Sequence, residues 1–171
     1  MTSHLRTLLV AAAIPLAGVS AAASAQPPAP PAAQQTPRDT ILGFYRTWAA
    51  ATAAEGAAGY ARFFTPNARL APPGAPAVVG RDSIRAWMER TQREAPTTQP
   101  ESITQDEITI AGHYALVITL MRGRRVPKDG SAAVPFDARY VDVLERAPGG
   151  WLFASRTWTD SVRTATQPPP G

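Results

Sequence analysis

Two alternating runs joined by a short Pro- and Gly-containing turn constrain the fold of this chain more than any other feature. The stretch from Phe136 to Asp160 reads FDARYVDVLERAPGGWLFASRTWTD, with Ala147-Pro148-Gly149-Gly150 near its middle. Alternation of apolar and polar residues is typical of a strand with one buried face, and a turn of this composition joins antiparallel neighbours. We therefore predict a long β-hairpin over this stretch.

The predicted register follows from placing Arg146 opposite Trp151. Asp142 then pairs with Ser155, and Tyr140 pairs with Thr157. One face carries Tyr140, Asp142, Leu144, Phe153, Ser155 and Thr157, while Arg156 and Trp158 lie on the opposite face. A single β-bulge would reverse part of this assignment. A carboxylate in mid-strand is costly to bury without a partner, which makes Asp142 the leading candidate for a functional residue.

The first 25 residues are typical of a secretion signal. Arg6 gives a basic start, residues 8–19 form an apolar run short for a bilayer span, and Ala23-Ser24-Ala25 matches a small-x-small cleavage pattern. We expect cleavage before Gln26, export to the periplasm or the medium, and no stable membrane insertion afterwards. An uncleaved membrane anchor is the alternative.

Composition excludes several kinds of site. The 171-residue chain has no Cys, so disulfides, thiol catalysis and cysteine-ligated metals are excluded. His113 is the only histidine after residue 25, which excludes a site of several histidines, and we predict no metal and no other cofactor. Without Arg6 the chain carries 16 Lys and Arg against 13 Asp and Glu, a net charge of +3. Export and this mild charge argue against nucleic acid as a partner.

Pro-rich stretches flank one predicted domain over residues 36–163. Residues 26–35 are expected to form a Pro/Ala-rich linker and residues 164–171 a disordered tail, because neither has enough apolar surface to fold. Thr36 followed by Pro37 predicts the start of a helix that ends at Gly56. A short second helix is predicted over residues 57–64, and a third opens near Gly80 with Asp82 as its cap and closes at residues 95–96.

Strands follow the helices. Short strands are expected at residues 68–71 and 77–79, and longer ones at residues 102–110 and 113–122. Residues 123–135 are predicted to form an open loop before the hairpin. The layout is α+β, with three helices on one face of a curved antiparallel sheet.

The order of these pieces resembles the nuclear transport factor 2-like superfamily, and within it the domain-of-unknown-function 4440 and SnoaL-like polyketide cyclase groups. The resemblance covers residues 37–160. Its matching pieces are the helix with Tyr45 and Trp48, and the segments 64–68, 80–84 and 140–143 with Gly150-Trp151. The resemblance implies a cystatin-like cone, in which a strongly curved sheet wraps over three N-terminal helices and leaves an apolar pocket. Members of the superfamily include isomerases, cyclases, dehydratases and non-enzymatic binding domains, so the fold leaves the function open.

The resemblance also implies where isomerase chemistry would reside. Enolisation needs a carboxylate base and donors that stabilise an oxyanion. Alignment on residues 64–68 places the base of the family near Pro72 and its oxyanion tyrosine near Trp48, and neither residue suits the role. The acid of the penultimate strand survives as Asp142. Steroid-isomerase chemistry is therefore not expected.

Candidate pocket residues are Asp142 as acid or base, Tyr140 or Ser155 as a supporting donor, and a ligand-binding set of Tyr45, Trp48, Phe64, Trp87, Phe153, Arg156 and Trp158. Each has a structural alternative. Asp142 would be held in a structural pair by Arg156, Arg139 or the backbone. The aromatic residues would simply be core. Arg156 and Trp158 would hold an anionic ligand or lie at a dimer face.

Three functions stay open at this point. The first is an exported small-molecule-binding domain with an apolar pocket, which binds a hydrophobic ligand without turnover and forms a homodimer through the convex face of the sheet. The second is a cyclase-, isomerase- or dehydratase-like enzyme on a hydrophobic substrate with Asp142 as acid or base. The third is a structural module whose cone is filled by its own aromatic side chains.

Overall fold

The computed structural model describes residues 36–163. The predicted signal peptide, linker and tail lie outside the described residues. Helix α1 spans Pro37–Glu55 and begins as predicted: the Asp39 N–H donates to Thr36 Oγ1, and the Thr36 N–H donates to Asp39 Oδ2, both at 3.1 Å. This reciprocal pair satisfies two backbone donors at the helix start. Gly56 ends α1 with φ +61°, a conformation that favours glycine.

The second and third helices differ from the prediction at their ends. Helix α2 spans Ala57–Ala61 and is shorter than predicted, because Phe64 already begins strand β1 (Phe64–Ala71). Gly59 allows α2 to lie against α1, since a Cβ there would be 2.0 Å from the Ala51 carbonyl oxygen. Helix α3 spans Arg81–Glu94 and is capped by Gly80, so Asp82 lies in the first turn and is not the cap.

A curved sheet of six strands covers the helices. The remaining strands are β2 (Val78–Val79), β3 (Thr97–Ala111), β4 (Tyr114–Val126), β5 (Val134–Ala147) and β6 (Gly150–Val162), in the spatial order β2-β1-β6-β5-β4-β3. The α+β layout is confirmed. One seam departs from the antiparallel prediction, because β1 pairs with β6 in parallel. No tight turn joins these two strands, so nothing local imposes an antiparallel direction.

Strands β3 and β4 extend beyond their predicted ends. Arg124 pairs with Pro135 and Arg125 pairs with Val134, so the predicted open loop shrinks to residues 127–133. Strand β3 begins at Thr97, five residues before the predicted start. Backbone ladders need no apolar side chains, and the side-chain pattern therefore underestimates these strands.

A register shift in the β5–β6 hairpin changes which residues share a face. The predicted pairs Arg146 with Trp151 and Leu144 with Phe153 are confirmed. Beyond them the register shifts, so that Asp142 pairs with Arg156 and Tyr140 with Trp158. The predicted pairings of Asp142 with Ser155 and of Tyr140 with Thr157 are wrong, because one extra residue, Ala154, separates Phe153 from Ser155 across the shift.

The core lies between α1 and the inner face of the sheet, the face that carries Phe153. The Phe153 ring centroid lies 4.9 Å from those of Phe44 and Phe64, and 5.1 Å from that of Trp48. Ile41, Leu70, Val117 and Leu144 are also fully buried there. No helix within residues 36–163 is long and apolar enough to cross a membrane.

Candidate functional site

Asp142 is fully buried on the inner face and receives two hydrogen bonds on one oxygen. The Tyr45 hydroxyl donates to Asp142 Oδ2 at 2.7 Å, and Arg156 Nη1 donates to the same oxygen at 3.0 Å. Tyr45 is on α1 and Arg156 on β6, so three elements converge on one carboxylate. The alternative in which Asp142 is paired with Arg156 is therefore the observed geometry, and Arg139 is not its partner.

Arg156 is itself 6% exposed and is enclosed by aromatic rings. Its guanidinium carbon lies 4.4 Å from the Tyr140 ring centroid, 4.7 Å from that of Trp48 and 5.2 Å from that of Phe153. Ring faces attract a cation, and the attraction strengthens where water is excluded. The aromatic rings therefore favour the charged form of Arg156 beside Asp142.

Three buried polar atoms of this region have no hydrogen-bond partner among the described residues: Asp142 Oδ1, Thr119 Oγ1 and Trp48 Nε1. Thr119 lies on β4, on the inner face, and its hydroxyl is near enough to Tyr45 to lower the pKa of the Tyr45 hydroxyl as a weak hydrogen bond would, although the two groups do not meet hydrogen-bond geometry. An unpaired buried polar group costs about 1–3 kcal/mol, so folded proteins rarely leave one without a partner. The free carboxylate oxygen and the Thr119 hydroxyl both lie beside Tyr45, which makes this spot a candidate for a polar guest.

The electrostatics follow from burial. Burial raises the pKa of the Asp142 carboxyl above its ordinary value, although the charge of Arg156 and the hydrogen bond from Tyr45 oppose this shift. Burial and the neighbouring Asp142 carboxylate raise the pKa of the Tyr45 hydroxyl far above its usual range, so Tyr45 stays a donor. Burial lowers the pKa of Arg156, but the surrounding negative charge, chiefly that of Asp142, outweighs this and the pKa is raised.

The bulge in β6 brings predicted residues to the inner face that the predicted register had separated. The predicted register put Arg156 and Trp158 on the other face of the sheet from Asp142. In the structure they lie on the same face as Asp142. The Trp158 ring stacks on Tyr140 at 5.6 Å between centroids, and Trp87 of α3 lies edge-on to Trp158 at 6.2 Å. Trp87, Trp158 and Tyr140 are all half-buried, so this aromatic row reaches from solvent to Arg156. Trp48 is half-buried too and contacts Arg156 from α1.

Other predicted residues lie elsewhere. Ser155 pairs with Val143 across β5 and with Arg69 across β1, on the face away from Asp142, so it is not positioned as a supporting donor. Phe64 and Phe153 are fully buried and pack together in the core.

The sequence did not predict a role for Thr119, because a threonine within an apolar strand gives no signal of its own. Burial also raises the pKa of Tyr60, to about 12, as its hydroxyl lies in the same interior.

Asp142 lines neither of two hollows that open on the surface of residues 36–163. The larger, about 570 Å³, lies between α1 and the β5–β6 turn. The smaller, about 290 Å³, lies at the start of α3. Within residues 36–163, no three His, Asp or Glu side chains converge as metal ligands do.

Solved structures place the fold in the nuclear transport factor 2-like, cystatin-like class. A ketosteroid isomerase-like protein from Erwinia carotovora atroseptica superposes with a TM-score of 0.63 at 17% identity, covering 71% of this chain and 93% of the other. A nuclear transport factor 2-like protein with a cystatin-like fold from Novosphingobium aromaticivorans gives 0.55 at 15% identity, covering 71% and 79%. ActVI-ORFA from Streptomyces coelicolor gives 0.57 at 25% identity, covering 72% and 96%.

The chain belongs to the SnoaL-like domain family, whose sequence profile matches residues 34–157. The SnoaL-like part of the predicted resemblance is confirmed, whereas the domain-of-unknown-function 4440 part stays a prediction. No curated protein matches the chain.

Proposed function

We propose that the chain is an exported small-molecule-binding domain, and that its ligand is a hydrophobic molecule that offers a hydrogen-bond donor to Asp142 Oδ1. The observation that supports this is the unpaired Asp142 carboxylate oxygen, which is buried on the same face of the sheet as the Thr119 hydroxyl, another buried atom without a partner of hydrogen-bond geometry. A ligand hydroxyl at this point would donate to Asp142 Oδ1 and accept from the Thr119 hydroxyl, which removes the cost of leaving both unpaired, whereas a ligand N–H would satisfy Asp142 Oδ1 alone.

The surroundings favour an otherwise apolar ligand. Tyr140, Trp158 and Trp87 form the half-buried aromatic row that leads towards Arg156 and Asp142. Asp142 is fully buried, so binding requires displacement of neighbouring side chains. The half-buried rings of Trp48 and Tyr140 are the candidates for this movement, because they border solvent and pack directly on Arg156.

Thr119→Val is the sharpest test, since valine has nearly the same shape and lacks the hydroxyl. If a ligand uses the hydroxyl, native mass spectrometry of the exported wild-type protein shows a retained mass, which Thr119→Val loses or retains in smaller amount. Thr98→Val is the matched control, because Thr98 is an exposed threonine on β3 that lines neither of the surface hollows described above. The proposal is contradicted if the wild-type protein neither retains a small molecule nor binds an added one, and Thr119→Val only makes the protein more stable. That result favours a cone filled by its own side chains.

A cyclase-, isomerase- or dehydratase-like enzyme is the second candidate, and the Tyr45–Asp142 hydrogen bond favours it. The tyrosine that alignment sought at Trp48 is present one helical turn earlier, with its hydroxyl 2.7 Å from the acid. Burial raises the pKa of Asp142, which suits a proton donor. Pro72, just after β1, still supplies no base. Asp142→Asn separates the two functions by the identity of the retained compound: a binding domain retains the same compound in both proteins, at lower occupancy in the variant, whereas an enzyme retains product in the wild type and substrate in the variant.

Export is tested by the N-terminus of protein recovered from a bacterial periplasm. A chain that begins at Gln26 supports export with cleavage. An intact Met1 contradicts it.

We also propose that a second copy of the chain covers the outer face of the sheet. Leu116 and Leu120 of β4 are 37% and 39% exposed there, next to Val141 and Val143 of β5. Arg139 and Glu145 lie at opposite ends of this apolar patch, so a two-fold axis through its centre brings Arg139 of one copy to the partner subunit's Glu145. Arg139→Glu is expected to give monomers, and the double variant Arg139→Glu with Glu145→Arg is expected to form dimers again. Analytical ultracentrifugation measures both. A monomeric wild type contradicts the proposal.

A further inference from the structure

The hollow between α1 and the β5–β6 turn has the size of a small-molecule site. Its volume of about 570 Å³ lies within the range of about 300–1,000 Å³ typical of ligand pockets. We call it the α1–turn hollow, and it is lined by Thr40, Phe44, Thr47, Phe63, Arg146, Ala147, Pro148, Gly149, Gly150 and Trp151. It shares no lining residue with the Asp142 region, so it is a separate feature of the protein.

The floor of the α1–turn hollow is aromatic and firmly held. Phe44 and Trp151 are 8% and 7% exposed, and Phe63 is half-buried. Phe44 packs edge-on against Phe63 at 5.8 Å and against Phe153 of the core at 4.9 Å between ring centroids. Phe44 and Trp151 expose little of their rings and cannot turn without disturbing the core, so the half-buried ring of Phe63 supplies most of the apolar surface for a flat ligand.

The charge of the α1–turn hollow is positive. Arg146 is the charged residue of its lining, and no carboxylate lines it. Its guanidinium carbon lies 4.6 Å from the Trp151 ring centroid, and among the described residues it makes no ion pair. The Thr40 and Thr47 hydroxyls donate to the backbone oxygens of Pro37 and Gly43 at 2.7 and 3.0 Å, so both keep only acceptor capacity. Arg146 therefore supplies the cationic hydrogen-bond donors of the hollow.

We propose that the α1–turn hollow binds a small aromatic anion. The ring of the ligand packs on Phe63, next to the edges of Phe44 and Trp151, and its carboxylate or sulfonate accepts hydrogen bonds from Arg146. The guanidinium fork matches such an anion in geometry as well as in charge. This site is independent of the proposed ligand of Asp142.

The test uses 2-naphthoate as the probe and neutral 2-naphthamide as its uncharged counterpart, followed by two-dimensional ¹H–¹⁵N NMR of the full chain. We expect 2-naphthoate to shift the Trp151 indole and the Gly149 and Gly150 amide signals in a saturable way. Arg146→Met is expected to weaken this binding about tenfold, as removal of a charge-assisted hydrogen bond does. Arg146 is exposed, so the variant is expected to fold normally.

Arg90→Met is the matched control, because Arg90 is exposed on α3, away from the lining of the hollow. It is expected to leave 2-naphthoate binding unchanged, and 2-naphthamide is expected to bind the wild type about as weakly as 2-naphthoate binds Arg146→Met. Unchanged affinity in Arg146→Met, or saturable shifts confined to signals outside the hollow, overturns the proposal.

Discussion

Replacement of Arg156 by methionine is the most informative perturbation of this protein. The Arg156–Asp142 pair is joined at 3.0 Å, and the side chains are 7% and 0% exposed. Methionine fills much of the same space but leaves the Asp142 carboxylate without its counter-charge. Tyr45 is then the one hydrogen-bond donor to it within the described residues.

The expected loss is large because the unpaired partner stays buried. Removal of one member of a buried ion pair typically costs about 3–5 kcal/mol in the free energy of unfolding. With a urea m-value of about 2 kcal/mol/M, the unfolding midpoint falls by about 2 M. Part of the loss comes from the contacts of Arg156 with the aromatic rings, and a second variant is needed to separate the two contributions.

Arg156→Met combined with Asp142→Asn provides that separation. Both this double variant and Arg156→Met lack the aromatic contacts, so the difference between them reports the buried charge alone. We expect the double variant to regain about 2–3 kcal/mol at pH 7, measured by urea unfolding followed by circular dichroism. The regain should shrink towards pH 4, because protonation of Asp142 then removes the charge without a substitution.

Two results refute this reasoning. A urea midpoint of Arg156→Met within about 0.5 M of the wild-type midpoint means that the pair is not buried as described. Equal stability of Arg156→Met and the double variant at pH 7 means that the Asp142 charge has no cost once Arg156 is gone.

Three further predictions concern titration, packing and capping. Burial raises the pKa of Asp142, so the folded protein binds the carboxyl proton more tightly than the unfolded chain does. The stability contributed by this proton is present below about pH 4 and is lost as pH rises through the raised pKa. Asp142→Asn is expected to remove this step from the pH profile of unfolding. Gly59→Ala is expected to cost about 1–3 kcal/mol in thermal unfolding, because the added Cβ would lie 2.0 Å from the Ala51 oxygen; an unchanged melting temperature contradicts that contact. Thr36→Ala should cost about 1 kcal/mol through the lost cap, whereas Thr36→Ser should cost much less.

The parts of the fold that depend on near neighbours in the chain were predictable from the sequence. The cap at Thr36 needs only Asp39, three residues away, and the end of α1 at Gly56 needs only one residue that accepts positive φ. The hairpin turn and its first pairs follow from alternation on either side of Pro148-Gly149. The assignment to the SnoaL-like family rests on the same local pieces, because their order along the chain carries the resemblance.

The candidate site was only partly predictable. Asp142 was identified because a carboxylate among apolar residues in mid-strand is conspicuous. Its free oxygen, and the unpaired Thr119 hydroxyl beside Tyr45, had no sequence signal. Residues 45 and 142 are 97 positions apart, and their hydrogen bond depends on how α1 lies across the sheet.

The cap of α1, the hairpin turn with its first pairs and the choice of Asp142 followed from the sequence alone, because each depends on hydrogen bonds or periodicity within a few residues. The side chains that surround Asp142 depend on tertiary packing. The extra residue in β6 turns Arg156 and Trp158 inward and Ser155 outward. Ala154 gives no local signal of a bulge. The shift is favoured by the packing of the whole inner face, because Arg156 contacts the buried Asp142 carboxylate and the rings of Trp48 and Tyr140. The shorter side chain of Ser155 would not make these contacts.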